Sequence, residues 1–230
     1  MRRLLWIFVL ACVPVRAQSV EDGAELFRKA RAFAEGTRSW RAEVVETLQV
    51  SGGGLNLRDE TRIKIAAQHP LKMSRQNSGS DRTVLVCDGV ETFYSAEGHS
   101  YHKGDARVTP QCDLPLNKFF GLDKIPASAS FSVMGRDQVQ FAEGERRCVL
   151  LRAAWKQGTV IAARTMCIDP ARPLILRDVS EGEDERTGIK SVKTTTFSDF
   201  ESSPSFPPGT FRFSIPVGAV EDRGLPSTFR

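Results

Sequence analysis

Two hydrophobic periodicities divide this chain. From Leu26 to Ala34 apolar residues recur at helical spacing: Leu26, Phe27, Ala30, Phe33 and Ala34 form one stripe with charges opposite. Ser19 stands where a cap is needed, Glu21 and Asp22 suit a first turn, and Gly36 suits a stop, so an amphipathic helix is expected that must lie on something apolar. From Trp40 onward the period becomes two. Trp40, Ala42, Val44, Leu48 and Val50 point one way and Arg41, Glu43, Thr47 and Gln49 the other. After Ser51-Gly52-Gly53-Gly54, the residues Leu57, Ile63, Ile65 and Ala67 continue the apolar side while Arg58, Glu60, Arg62 and Lys64 take the wet one. This is a long hairpin with one apolar face.

The same period carries on from His69 to Tyr101. Asp88-Gly89 lies between two β-favouring runs and tolerates the positive φ of a two-residue turn, and Glu97-Gly98 makes the next turn. Three antiparallel strands are expected, with Met73, Val84 and Val86 counted on the apolar face. Further strands are expected at 131–134, 139–141, 148–154, 160–167, 174–179 and 189–200, with a solvated charged turn over 181–188 and an extended connector over 204–208. Between the two sets of strands, 107–122 reads differently. Asp113 can cap, Pro115 suits a first turn, and Leu116, Phe119, Phe120 and Leu122 make a short, densely apolar helix that Gly121 and Pro126 stop. By residue type alone this is as much a core helix as a cover.

The first residues change the picture of size and charge. Met1-Arg2-Arg3 is a basic start, the run from Leu4 to Cys12 is apolar but too short to span a bilayer, and Val15-Arg16-Ala17 is a small-residue cleavage site. Residues 1–17 are therefore read as a cleaved export signal and 18–230 as a single domain. Losing Arg2, Arg3 and Arg16 lowers the formal net charge from +4 to +1. Interspersed signs on a nearly neutral chain leave no footprint for a nucleic-acid partner.

Export makes the cysteines informative. Beyond Cys12, the four that remain are Cys87, Cys112, Cys148 and Cys167, with three possible disulfide connectivities. Folding 148–154 against 160–167 with Gln157-Gly158 at the tip sets Cys148 opposite Cys167, which leaves Cys87 for Cys112. No Cys-x-x-Cys pair points to zinc.

Catalytic signatures are missing from the sequence. It has no Gly-x-Ser-x-Gly, no His-Glu-x-x-His, no dinucleotide fingerprint, and no Gly-Lys-Ser/Thr after the triple glycine. His99 and His102 would point to opposite faces of a strand, which disfavours a metal. The expectation is a protein with no enzymatic activity, no cofactor and no metal.

Thr37-Arg38-Ser39-Trp40-Arg41-Ala42-Glu43, His69-Pro70-Leu71-Lys72-Met73, Leu85-Val86-Cys87-Asp88-Gly89-Val90, Phe93-Tyr94 and Phe211-Arg212-Phe213-Ser214-Ile215-Pro216-Val217-Gly218-Ala219 follow one another in the order found in the LolA family. From about Ala24 to Asp222 the chain resembles these periplasmic outer-membrane lipoprotein carriers. The resemblance implies a mainly β fold: a strongly curved antiparallel sheet forming an unclosed barrel, with an N-terminal amphipathic helix and a short lid helix. It implies a hydrophobic cavity lined by Trp40, Val44, Leu48, Leu57, Ile63, Ile65, Met73, Val84 and Val86, under a lid of Leu116, Phe119, Phe120 and Leu122. It also implies acylated lipoproteins or another lipid ligand, an inner-membrane releasing complex, an outer-membrane acceptor, and a monomer in the periplasm. One position departs from the family. Where LolA has an arginine whose hydrogen bonds hold the lid shut, this chain has His69, and neutral imidazole offers one donor where guanidinium offers five. Two relatives of the same fold give alternatives: a LolB-like acceptor anchored by lipid at Cys12, whose Val9-Leu10-Ala11-Cys12 resembles a lipobox, and an RseB-like envelope-stress sensor.

Overall fold

In the computed structural model, which describes residues 22–79 and 82–222, the chain begins with helix α1 (Gly23–Gly36). The export segment, Ser19, Glu21 and Cys12 lie outside the described residues. The N-cap is Asp22, whose carboxylate accepts from the Ala24 amide at 3.1 Å. Leu26, Ala30 and Ala34 are buried, Phe27 stacks on Phe131 with ring centres 4.8 Å apart, and the Thr37 hydroxyl donates to the Phe33 carbonyl where the helix ends. The amphipathic stripe thus does what its spacing predicts.

The remaining chain forms β1 (Ser39–Gly52), β2 (Leu55–Gln68), β3 (Lys72–Gly79), β4 (Thr83–Asp88), β5 (Glu91–Ala96) and β6 (Ser100–Asp105). After the short helix α2 (Leu116–Phe120) come β7 (Ser130–Phe141), β8 (Gly144–Gln157), β9 (Val160–Ile168), β10 (Ile175–Asp184), β11 (Ile189–Ser202) and β12 (Val220–Glu221). All twelve strands belong to one sheet in the order β12-β6-β5-β4-β3-β2-β1-β11-β10-β9-β8-β7. Its ends do not join, so the sheet is an open, curved one and not a barrel. Among the described residues every pairing is antiparallel except β12 with β6. The first and last long strands, β1 and β11, meet at the centre.

Register decides the two faces. Trp40, Ala67, Met73, Cys87 and Thr92 stand in one row across β1 to β5, and Ala42, Ile65, Leu85 and Tyr94 lie in the next. This inner face carries both helices and most of the core. The intervening rows, Arg41-Ala66-Ser74-Val86-Phe93 and Glu43-Lys64-Gln76-Val84-Ser95, form the outer face. After β11 the chain crosses that outer face as a strap, with Phe213 stacked on Phe93 at 5.2 Å and reaching Tyr101 at 5.9 Å.

Turns differ from expectation in small, explicable ways. The β8–β9 tip is Gly158-Thr159, because Gly158 takes φ +60 and Gln157 pairs with Val160. Cys167 therefore faces Leu150, two residues from Cys148, yet the disulfide Cys148–Cys167 is formed with Cα atoms 5.3 Å apart. The second disulfide is Cys87–Cys112. At β4–β5 the tip moves from Asp88-Gly89 to Gly89-Val90, since the Asp88 carboxylate accepts from the amides of Val90 and Glu91. The charged turn is shorter than 181–188, because Glu181 to Asp184 pair with β9 and β11. Strands expected separately at 131–134 and 139–141 are one, β7. Gly52 has a specific reason to be glycine: with φ +95, an added Cβ would lie 2.2 Å from the Gly188 carbonyl oxygen, so two hairpin tips touch through backbone alone.

Candidate functional site

Helix α2 is short for local reasons. Pro115 precedes it without an N–H to pair, and Gly121 ends it at φ 60, ψ 40, a left-handed conformation that glycine adopts without strain. Four apolar side chains seat it on the inner face. Leu116 and Leu122 are fully buried, Phe120 is buried, and Phe119 is half-buried. Phe119 meets Trp40 edge-on at 5.3 Å, and both Phe119 and Phe120 contact Phe197, which packs on Phe200. This aromatic group joins the helix to β1 and β11, the centre of the sheet. Trp40 is fully buried, and its indole N–H has no acceptor among the described residues.

Polar ties hold the helix at both ends. At its entrance, Cys112 is bonded to Cys87, and His69 Nδ1 lies 2.6 Å from Asp113 Oδ1. Lys118 Nζ is 3.6 Å from the other oxygen of Asp113. Asp113 does not cap α2, as its position had suggested; its carboxylate is engaged by His69 instead. The loop leading in is fixed by Asp105, whose carboxyl is pushed down to about 2, first by the hydrogen-bonded Arg107 side chain and then by the Arg107 backbone amide.

At the exit stands Arg164 of β9. Its Nη2 donates to the Phe120 carbonyl at 2.7 Å and its Nη1 to the Gly121 carbonyl at 3.1 Å. The same guanidinium makes a two-pronged pair with Asp178 of β10, Nε to Oδ1 at 3.1 Å and Nη2 to Oδ2 at 2.7 Å, and Ser180 donates to Oδ2 as well. The two side chains are only 8% and 7% exposed. Beside them is a cavity of about 310 Å³, bordered by Phe119, Phe120, Ile125 and Trp155 and also by the polar side chains of Lys118, Lys124, Glu181, Lys193 and Thr195.

The residues expected to line a cavity fall into three groups. Trp40, Val44, Ile63, Ile65 and Met73 face inward and are at most 3% exposed, packed under the helices. Leu48 and Leu57 also face inward but are 42% and 59% exposed, because they lie past the helices near the β1–β2 tip. Between these groups the inner face turns polar: Glu46 pairs with Lys193 at 2.8 Å and accepts from Thr195. Val84 and Val86 are on the opposite face, since Cys87 sits across from inward-facing Met73 and Val86 is one residue out of step with it. There they line a separate groove of about 840 Å³ between β3–β5 and the strap, with Arg82, Arg212 and Phe213.

Arg164 and Asp178 were not singled out from the sequence. The available signal was a single arginine in the otherwise uncharged run 160–168, at inward parity with Met166. Among the described residues no group of three or more His, Cys, Asp or Glu could hold a metal ion. His102 lies on the inner face opposite Tyr94, with Nε2 3.8 Å from Asp222.

The chain matches no family model and no curated protein. Solved structures similar to it include an outer membrane lipoprotein-sorting protein domain from Vibrio parahaemolyticus, with 10% identity, coverage of 83% of this chain and 96% of that one, and a TM-score of 0.33. Another is a LolA superfamily protein from Nitrosomonas europaea, at 10% identity, 84% and 98% coverage and a TM-score of 0.31. A third is MucB in the Pseudomonas aeruginosa MucA/MucB complex, at 12% identity, 83% and 61% coverage and a TM-score of 0.39. The chain spans about three fifths of that MucB chain. At these TM-scores no site residue is carried from one structure to another.

Proposed function

We propose that this protein is a periplasmic carrier, exported by a cleaved signal peptide, that holds the acyl chains of lipoproteins or another lipidated ligand against the inner face of its sheet for transfer towards the outer membrane. The observation that carries this reading is the seating of α2. A helix of five residues covers the apolar centre of the sheet through Phe119 and Phe120, and side-chain contacts, not strand pairing, hold it. Such an element can move aside without breaking the sheet. The cavity next to it, about 310 Å³, is at the lower end of the range for ligand sites, so binding would shift the helix outward and lay the acyl chain between its phenylalanines and the sheet. Burial contributes roughly 0.8 kcal/mol per methylene, so about ten methylenes supply roughly 8 kcal/mol before association costs, a micromolar affinity at best. Loading and unloading then call for an inner-membrane releasing complex and an outer-membrane acceptor. The test is binding of a fluorescent fatty-acyl probe to the purified monomer, with Phe119→Ala and Phe120→Ala as controls. Absence of acyl binding by the wild-type protein rejects the carrier reading.

A second reading, an envelope sensor that docks a protein segment, is favoured by the outer groove of about 840 Å³ under the strap. It predicts that envelope proteins captured by the wild type are lost when Phe213→Asp disrupts the strap, while acyl binding is unaffected. The lipid-anchored alternative depends on Cys12. The intact mass of protein purified from its native envelope separates it from the cleaved form.

A further inference from the structure

Buried pairs of opposite charge usually find their partners in each other. The Arg164–Asp178 pair is unusual in that its arginine also holds something that the proposed function requires to move. Of the five guanidinium donors, two go to Asp178, one to the Phe120 carbonyl and one to the Gly121 carbonyl. The fifth, on Nη1, has no acceptor among the described residues. When α2 lifts, two more donors lose their acceptors, and once an acyl chain fills the space beneath the helix and excludes water this is costly unless another acceptor arrives. A hydrocarbon chain cannot supply one.

We propose that Arg164 is the binding point for the carbonyl oxygen of the ester or amide that joins the ligand's acyl chain to its head, taken in exchange for the carbonyls of Phe120 and Gly121. This rests on the acyl-carrier reading and names the ligand group that the same site selects. Two observations identify the class. The cavity that borders Arg164 has Phe119, Ile125 and Trp155 among its apolar walls, so a chain lying along these side chains brings its polar end to the guanidinium, while Lys118, Lys124, Glu181 and Lys193 also border the cavity. The pair is also already neutral, with Asp178 taking both prongs, so what Arg164 offers when α2 lifts is two N–H donors and not a free charge, which suits a neutral carbonyl. Opening of the helix and recognition of the carbonyl thus become one event, because the donors released by the first are consumed by the second.

The experiment compares two probes of equal chain length, a hexadecanoyl ester and the corresponding hexadecyl ether, on the wild type and on an Arg164→Met/Asp178→Leu double variant. The double variant removes both charges together and leaves neither buried alone, so it is expected to fold. The wild type should bind the ester at least tenfold more tightly than the ether, and the double variant should bind ester and ether alike, at the wild-type ether level. An isotope-labelled ester on the wild type alone gives a readout that needs no variant: its carbonyl stretch should move to lower frequency on binding. Equal affinity for ester and ether, a preference that survives in the double variant, or an unshifted stretch overturns the proposal and leaves the carrier reading standing. Failure of the wild type to bind either probe removes both.

Discussion

His69 Nδ1 lies 2.6 Å from Asp113 Oδ1, across 44 residues of sequence, and this contact ties the turn between β2 and β3 to the segment that enters α2. Both side chains are about one-third exposed, 35% and 34%, and Lys118 competes for the same carboxylate from 3.6 Å. The tie is therefore a modest one, in the range of about 0.2–1 kcal/mol typical of accessible ion pairs.

A guanidinium offers the Asp113 carboxylate five donors in a fixed fork, where the imidazole of His69 makes a single contact. His69→Arg should therefore release an acyl probe more slowly than the wild type, by up to about fivefold. Asp105, in the loop before the helix, adds no pH dependence near neutrality. Its carboxyl is held at about 2, so whatever its bond to Arg107 contributes is lost only as pH falls through that value. Stopped-flow dilution of the two proteins decides the matter; identical release rates would show that the tie does not gate release.

Arg164→Met alone should be among the most damaging single substitutions in the chain. It leaves Asp178, 7% exposed, as an unpaired buried charge, which costs about 3–5 kcal/mol. Adding Asp178→Leu should return most of that loss. Urea midpoints of the two variants measure it, and a double variant no more stable than the single one would refute the assignment of the cost to the orphaned carboxylate.

Phe119 and Phe197 touch, yet they should behave differently. Phe197 is fully buried on β11, so Phe197→Ala should cost about 3–5 kcal/mol of stability. Phe119 is only half-buried on a helix that covers the site, so Phe119→Ala should cost far less in folding and weaken acyl-probe binding about tenfold, roughly 1.4 kcal/mol. Equal stability losses with unchanged binding would make α2 ordinary core.

A non-reduced peptide map should recover Cys87 with Cys112 and Cys148 with Cys167. Replacing Cys87 and Cys112 by alanine opens a loop of 25 residues and should lower stability by about 3 kcal/mol on the chain-entropy model. Because Cys112 adjoins Asp113, the same variant should also release the acyl probe faster. Unaltered release would place the control of α2 at its Arg164 end alone.

The sequence by itself determined what depends on near neighbours. Period-two alternation from Trp40 to Ala67 assigned the inner and outer sides of β1 and β2 correctly, because one local turn sets that register and every second side chain must then share a face. The amphipathic helix that stops at Gly36 was legible for the same reason, although Asp22, expected in its first turn, is its N-cap, and so was the short apolar helix that Gly121 ends. Where alternation lapses, the sequence had nothing to say: Val84-Leu85-Val86-Cys87 is apolar throughout, and only the pairing of Cys87 with Met73, itself fixed by Ala67, sends Val84 and Val86 outward. Tertiary structure also decided how the site is held. Phe120 and Arg164 are 44 residues apart, as are His69 and Asp113, and Arg164 finds Asp178 only because β9 and β10 pair side by side. Polar contacts of this kind have no period and no required spacing, so they follow from the path of the chain and cannot be read from its pattern.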